Sequence, residues 1–234
     1  MMKKTGQPDK VLKALIDGNE IYRNKCEVFF DQLKDGQTPE VGLITCGDSR
    51  VPSSIFGIDA LNNIFIVKNI GNQIRNSEGS IKYPILHLHT PIFIVLGHTG
   101  CGAIFAATGD YTKEDDAIQH ELVSLKNSIR RAEHHLKGRE PNDKIKHNSM
   151  ISEINVDHQI SKMLVDYSIK PLVESGKLTI IGMMFDIHNV YDKGCAHIYI
   201  TNVNGEIDVE KIRKHKVLAQ LDDNEIKDFV KRLT

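Results

Sequence analysis

Residues Val41–Arg50 read VGLITCGDSR: an apolar run that ends in a thiol, a carboxylate, a hydroxyl and a guanidinium within five residues. Residues Ile92–Ala103 read IFIVLGHTGCGA, where a second apolar run delivers His98 and Cys101. Short, wholly apolar runs of this kind are the signature of strands buried on both faces, as in parallel sheets. In open parallel sheets, ligands collect at the carboxyl ends of the strands. If these two strands are neighbours, Cys46, Asp48, His98 and Cys101 converge. Two thiolates, an imidazole and a carboxylate form a tetrahedral zinc set by ligand type.

Working outward, the spacing predicts strands over Val41–Thr45, Ile64–Val67, Ile92–Leu96 and Leu178–Met184. A last strand over Ala196–Val203 ends in the tight turn Asn204-Gly205. A helix is expected over Ser77–His89, kinked at Pro84. Apolar residues at helical spacing (Val11, Leu12, Leu15, Ile16, Ile21) predict one or two amphipathic helices over Lys10–Phe30, and Ile151–Ile169 resumes that periodicity. Residues 110–148 are charged and read as a helical excursion with a mobile end near GREPNDK. Asp222–Leu233 reads as an amphipathic helix. The rhythm of strand, helix and strand implies an α/β fold, a parallel sheet with crossover helices. One domain spans 1–234, with a helical arm over 1–34.

Composition narrows the function. The 234 residues carry a formal net charge of −1, so no global field recruits nucleic acid or an anionic membrane. The basic run IRRAEHHLKGR reads as a solvated helix face. No apolar stretch approaches the ~20 residues of a membrane span, and MMKKTGQPDK lacks the apolar core of a signal peptide. The expected compartment is the cytoplasm, where the four cysteines stay reduced. Cys26 and Cys195 read as ordinary cysteines; the Cys-x-Asp and His-x-x-Cys pairs read as a metal centre. Arg50 is placed to hold Asp48 in a charge-assisted pair, which would draw the carboxylate off the metal and admit water.

CGDSR followed by GHTGCG resembles the β-class carbonic anhydrases, whose zinc motif is Cys-x-Asp-Ser-Arg and His-x-x-Cys. The likeness extends through GQTP, FIVKNIGN, SIKYPILHLH and IKPLVESGKLTIIGMMFDIHNVYDKG, from about Gln37 to Gly205. Lys82, Pro84 and Phe185 depart from the family pattern. The resemblance implies one zinc per chain on Cys46, His98 and Cys101, with Asp48 either a fourth ligand or the hydrogen-bond acceptor of zinc-bound hydroxide. Asp48 and Arg50 become the catalytic dyad, and Gln37, Phe65, Ile70, Tyr83 and Gly102 the substrate pocket. The activity implied is reversible hydration of carbon dioxide to bicarbonate and a proton, a lyase reaction. The fold implied is a central mostly parallel β-sheet of four parallel strands, plus an antiparallel edge strand, flanked by helices. A homodimer or dimer of dimers is implied, with no nucleic-acid or membrane partner. Two alternatives stand beside it: a carbon disulfide or carbonyl sulfide hydrolase on the same scaffold, and a non-catalytic zinc module that presents a surface.

Overall fold

The computed structural model describes residues 7–58 and 60–234, apart from the side chain of Val28. The stretch MMKKTG, where the absence of a signal peptide is expected, lies outside the described residues. The chain falls into two units, one through Thr38 and one from Pro39 to Thr234.

The first unit is built on one helix, α1 (Pro8–Leu33), with proline in its first turn, where the missing N–H costs no hydrogen bond. Val11, Leu12, Leu15, Ile16 and Ile21 leave more than half of their surface exposed along it.

The second unit is a five-stranded sheet in the order β2-β1-β3-β4-β5. Its strands are β1 (Val41–Cys46), β2 (Ile64–Asn69), β3 (Ile92–His98), β4 (Thr179–Asp186) and β5 (His197–Val203). The first four are parallel, and β5 runs antiparallel on the edge. The chain steps from β1 to β2 on one side, then crosses back to β3 on the other. The carboxyl ends of β1 and β3 therefore flank the switch point, the place where open α/β sheets collect ligands. The edge strand ends as expected: Asn204 and Gly205 take φ of 51° and 88°, and Val203 and Glu206 exchange backbone hydrogen bonds across the turn.

The helices are α2 (Glu78–Lys82), α3 (Gly102–Thr108), α4 (Asp116–Val123), α5 (Lys126–Leu136), α6 (Lys144–Leu164), α7 (Lys170–Glu174), α8 (Val209–Ile212) and α9 (Asp223–Phe229). The expected helix around Pro84 differs in detail. After α2 the chain opens into a π-helical turn, Tyr83–His87, closed by the Leu88 N–H on the Tyr83 carbonyl at 3.2 Å. A wider turn accommodates a residue that has no N–H to give. The last helix is shorter than expected, because Val230 leaves it to bridge Ile200 and Arg232 turns inward to Asp157.

The charged excursion, residues 110–148, folds as α4, α5 and the start of α6. Leu122, Leu125, Ile129, Ala132 and Leu136 are buried in a core cluster that also contains Cys46 and Cys101, while Ile118 and Val123 stay exposed. The segment thus packs in one core with the residue that ends β1 and one that follows β3. Helix α6 lies close on the sheet: a Cβ at Gly97 would stand 2.7 Å from both Met184 and Val156. Among the described residues no helix is long and apolar enough to cross a membrane.

Candidate metal centre

Cys46 is the last residue of β1, His98 the last of β3, and Cys101 the residue that leads into α3. One ligand atom from each of the three lies within 4.8 Å of the others, and the two sulfurs are 3.9 Å apart. All three are buried, at 5%, 0% and 2% exposure. Gly100 makes the short return possible: it sits at φ +63°, and a Cβ there would lie 2.3 Å from the His188 ring.

The protonation pattern suits a cation. The His98 Nδ1–H donates to the Thr99 carbonyl at 3.1 Å, which leaves Nε2 as the ring nitrogen available to ligate a metal. That Nε2 is buried and has no hydrogen-bond partner. Beside it, the Cys101 hydrogen bond pulls the Cys46 thiol well below its ordinary pKa against the effect of burial, helped by His98 and by the Gly71 N–H. The same hydrogen bond, with burial, pushes Cys101 up. Cys46 is thus the thiol more readily deprotonated, and a thiolate is the form that ligates a metal. An unpartnered nitrogen beside two neighbouring sulfurs fits a bound soft or borderline metal. Among the described residues this is the one group of three or more potential ligands brought together this way. Cys26 lies in α1 and Cys195 is exposed ahead of β5, and neither joins it.

Asp48 and Arg50 leave β1 beside the cluster as a bidentate pair: Nε to Oδ1 at 3.0 Å and Nη2 to Oδ2 at 2.7 Å. The Arg50 backbone N–H adds a third bond to Oδ1 at 2.9 Å. The guanidinium also donates to the Gly100 carbonyl at 3.3 Å, tying the exit of β1 to that of β3. These contacts, the guanidinium first, hold the Asp48 carboxyl well below the usual carboxylate range despite partial burial. Asp48 Oδ2 lies 3.9 Å from His98 Nε2.

The expected pocket residues are spread out. Ile70 directly follows β2, where Asn69 is level with Cys46, and is partly exposed. Gly102 begins α3, next to Cys101. Phe65 is level with Gly42, four residues before Cys46, which places it about 13 Å down the sheet. Tyr83 packs on Phe65 with ring centroids 5.8 Å apart, and on His87 at 4.7 Å. Gln37 is exposed in the first unit.

Sequence reasoning passed over the supports of the site. Asp186 is fully buried and accepts from the Thr99 hydroxyl and from the N–H groups of His188, Val190 and Tyr191. Thr99 Oγ1 in turn accepts the Ile187 N–H at 2.8 Å. The exits of β3 and β4 are thereby bound together beneath the His98–Cys101 turn. The motif FDIHNVYD held the signal, as a lone carboxylate that ends an apolar strand.

A family model described as carbonic anhydrase matches residues 41–191. The chain belongs to the β-class carbonic anhydrases. This is a family of enzymes whose general activity is carbon dioxide hydration. A carbonic anhydrase of Synechococcus elongatus is 27% identical over 195 residues, covering 76% of this chain and 69% of that protein. One from Mycolicibacterium smegmatis is 40% identical over 107 residues, covering 42% of this chain and 52% of that protein. Among solved structures, a chain from the two tetrameric β-carbonic anhydrases of Sordaria macrospora superposes with a TM-score of 0.70 at 26% identity. That match covers 82% of this chain and 96% of the other.

Proposed function

We propose that the chain holds one zinc ion on Cys46, His98 and Cys101 and catalyses the reversible hydration of carbon dioxide to bicarbonate and a proton. The observation that carries this reading is the buried, unpartnered Nε2 of His98 beside two buried sulfurs 3.9 Å apart. Two sulfurs and a nitrogen favour zinc over the oxygen-seeking magnesium or calcium. When bound, zinc supplies the Lewis acidity that makes water a nucleophile near neutral pH.

The chain's own residues supply orientation. Asp48, kept ionised by Arg50, accepts a hydrogen bond from the attacking water and turns a lone pair toward the carbon. Arg50 would also keep that carboxylate away from a bound ion. Were its contacts to break, Asp48 would be the nearest free anion and could complete the ligand set. Ile70 offers an apolar berth to an uncharged substrate, and the Gly102 N–H and the Gln37 amide suit a developing bicarbonate oxygen. Phe65 and Tyr83 stand too far down the sheet to line their own chain's centre, so as pocket residues they serve that of a second copy.

This agrees with assembly as a homodimer or dimer of dimers, supported by the exposed apolar face of α1 and by the tetrameric Sordaria relatives. A cytoplasmic location suits thiols that must stay reduced.

The test is metal analysis beside stopped-flow hydration of carbon dioxide, with hydrolysis of carbon disulfide and carbonyl sulfide measured in parallel. About one zinc per chain with rapid hydration is the expected result. Turnover of the sulfur compounds alone would overturn the substrate, and zinc without any turnover would leave only the non-catalytic module.

A further inference from the structure

The basic run IRRAEHHLKGR, Ile129–Arg139, reads in sequence as a solvated helix face, and the metal centre makes no use of it. In the structure Arg130, Arg131, His134 and His135 of α5 line a cavity of about 570 Å³. Helix α6 contributes Ile154, Asp157 and His158, and β5, the turn after it and Arg232 complete the lining. The volume is that of a small-molecule site, about 300–1,000 Å³. Neither the Cys46–His98–Cys101 cluster nor the Asp48–Arg50 pair lines it.

Two of its cations have nothing to neutralise them. Among the described residues Arg130 and Arg131 make no hydrogen bond and no ion pair. Arg232 differs: its guanidinium donates to Asp157, to the Thr201 carbonyl and to the Thr234 hydroxyl. Asp157 is the one carboxylate side chain among the lining residues, and it is already spent on Arg232 and on Asn202 Nδ2 at 2.8 Å. The cavity therefore presents two unpaired guanidiniums with no free acid beside them.

His158 adds an acceptor. It lines the cavity and is 6% exposed. Ser128 Oγ gives its single proton to Asn155 Oδ1 at 2.7 Å, so it accepts from the His158 Nδ1–H at 2.8 Å. That leaves His158 Nε2, which has no hydrogen-bond partner among the described residues, as the ring nitrogen available to a ligand. Burial, then the charges of Lys162 and Arg131, keep the ring neutral. Guanidinium forks match the oxygens of a phosphate or a sulfate alike. A neutral imidazole tells the two apart: a phosphate group, with a second pKa of about 6, brings a proton that Nε2 can accept or share near neutral pH. Sulfate brings none.

We infer that the cavity between α5 and α6 is a second, non-catalytic site for a small molecule that carries a phosphate group. Arg130 and Arg131 pair with the charged oxygens, His158 Nε2 takes the remaining proton, and Ile154 and Ile207 contact the body of the ligand.

The test is calorimetry on the full chain loaded with zinc, with phenyl phosphate as the probe. Binding should be saturable, and Arg130→Gln and Arg131→Gln should each weaken it about 10-fold while carbon dioxide hydration stays unchanged. Both residues are exposed, so neither variant is expected to unfold. Inorganic phosphate and sulfate have the same shape and, near neutral pH, the same double charge. Wild type should prefer phosphate by about 10-fold, and His158→Leu should bind the two equally. Affinity for phenyl phosphate unchanged in both arginine variants overturns the inference. Equal affinity of wild type for phosphate and sulfate overturns the role of His158. Inhibition of hydration in step with binding would place the anion at the metal centre instead, also against the inference. Phosphatidylcholine vesicles doped with phosphatidic acid separate a soluble ligand from a lipid headgroup; binding to these vesicles alone would contradict a small-molecule site.

Discussion

Two buried polar groups border α6 and differ in one respect. Glu153, fully buried, is complete: its oxygens accept from Tyr191 Oη at 2.7 Å, from the Leu233 and Thr234 N–H groups, and from Thr234 Oγ1. Arg232 adds an ion pair at 3.4 Å, and its guanidinium also donates to Asp157, the Thr201 carbonyl and the Thr234 hydroxyl. The Cys46–His98–Cys101 cluster is as deeply buried but incomplete, with the His98 Nε2 unpartnered beside two sulfurs 3.9 Å apart. Protein interiors rarely tolerate an unsatisfied group without a use for it. A complete polar cluster fixes the last residues of the chain in place; an incomplete one is waiting for a ligand.

The comparison breaks first at the ligands. Cys101→Ala should lose its metal and its hydration activity together, a larger effect than the about 10–100-fold that follows loss of an outer partner. Full zinc occupancy in this variant, measured by elemental analysis, would show that the cluster is not the site. Next comes the dyad. Arg50→Ala should keep about one zinc per chain yet lose about 100-fold in hydration rate, as Asp48 swings from its guanidinium to the metal. Wild-type rates at every pH would reduce the pair to an ordinary ion pair.

The closed cluster answers to stability instead. Glu153→Ala leaves Arg232 buried with half of its compensation, and should cost about 3–5 kcal/mol in denaturant unfolding while the folded fraction keeps its zinc. Loss of metal from folded Glu153→Ala would mean that the two clusters are coupled. The smallest effect concerns His158, 6% exposed on α6. Burial first, then the charges of Lys162 and Arg131, hold its pKa at about 4, below the about 6.5 of an unfolded chain. The unfolded state therefore binds the extra proton between those values, and stability present above pH ~6.5 is lost as pH falls toward ~4, by at most about 3 kcal/mol. His158→Gln should flatten that slope in pH-dependent unfolding; an unchanged slope would place its cause elsewhere.

How much of this was legible depended on whether chemistry and pattern coincided. Cys46, Asp48, His98 and Cys101 stand at the ends of apolar runs, so a period and a position identified strands and ligands at once. The sheet then had only to make β1 and β3 neighbours, which it does. The supports were illegible for the opposite reason. Thr99 and Asp186 are polar residues that pattern reading assigns to solvent, yet each is buried against partners distant in the chain. The excursion over 110–148 was read by its charge, while five buried apolar residues decided where it packs. Phe65 and Tyr83 could be matched to a motif, but a motif carries no distance along a strand.

The most direct measurement is a zinc titration of metal-depleted protein with carbon dioxide hydration followed at each addition. Activity should rise in proportion to bound metal, level off near one ion per chain, and be absent from Cys101→Ala at every zinc concentration. Hydration that persists without metal, or that Cys101→Ala recovers on adding zinc, would contradict the assignment of Cys46, His98 and Cys101 as the centre.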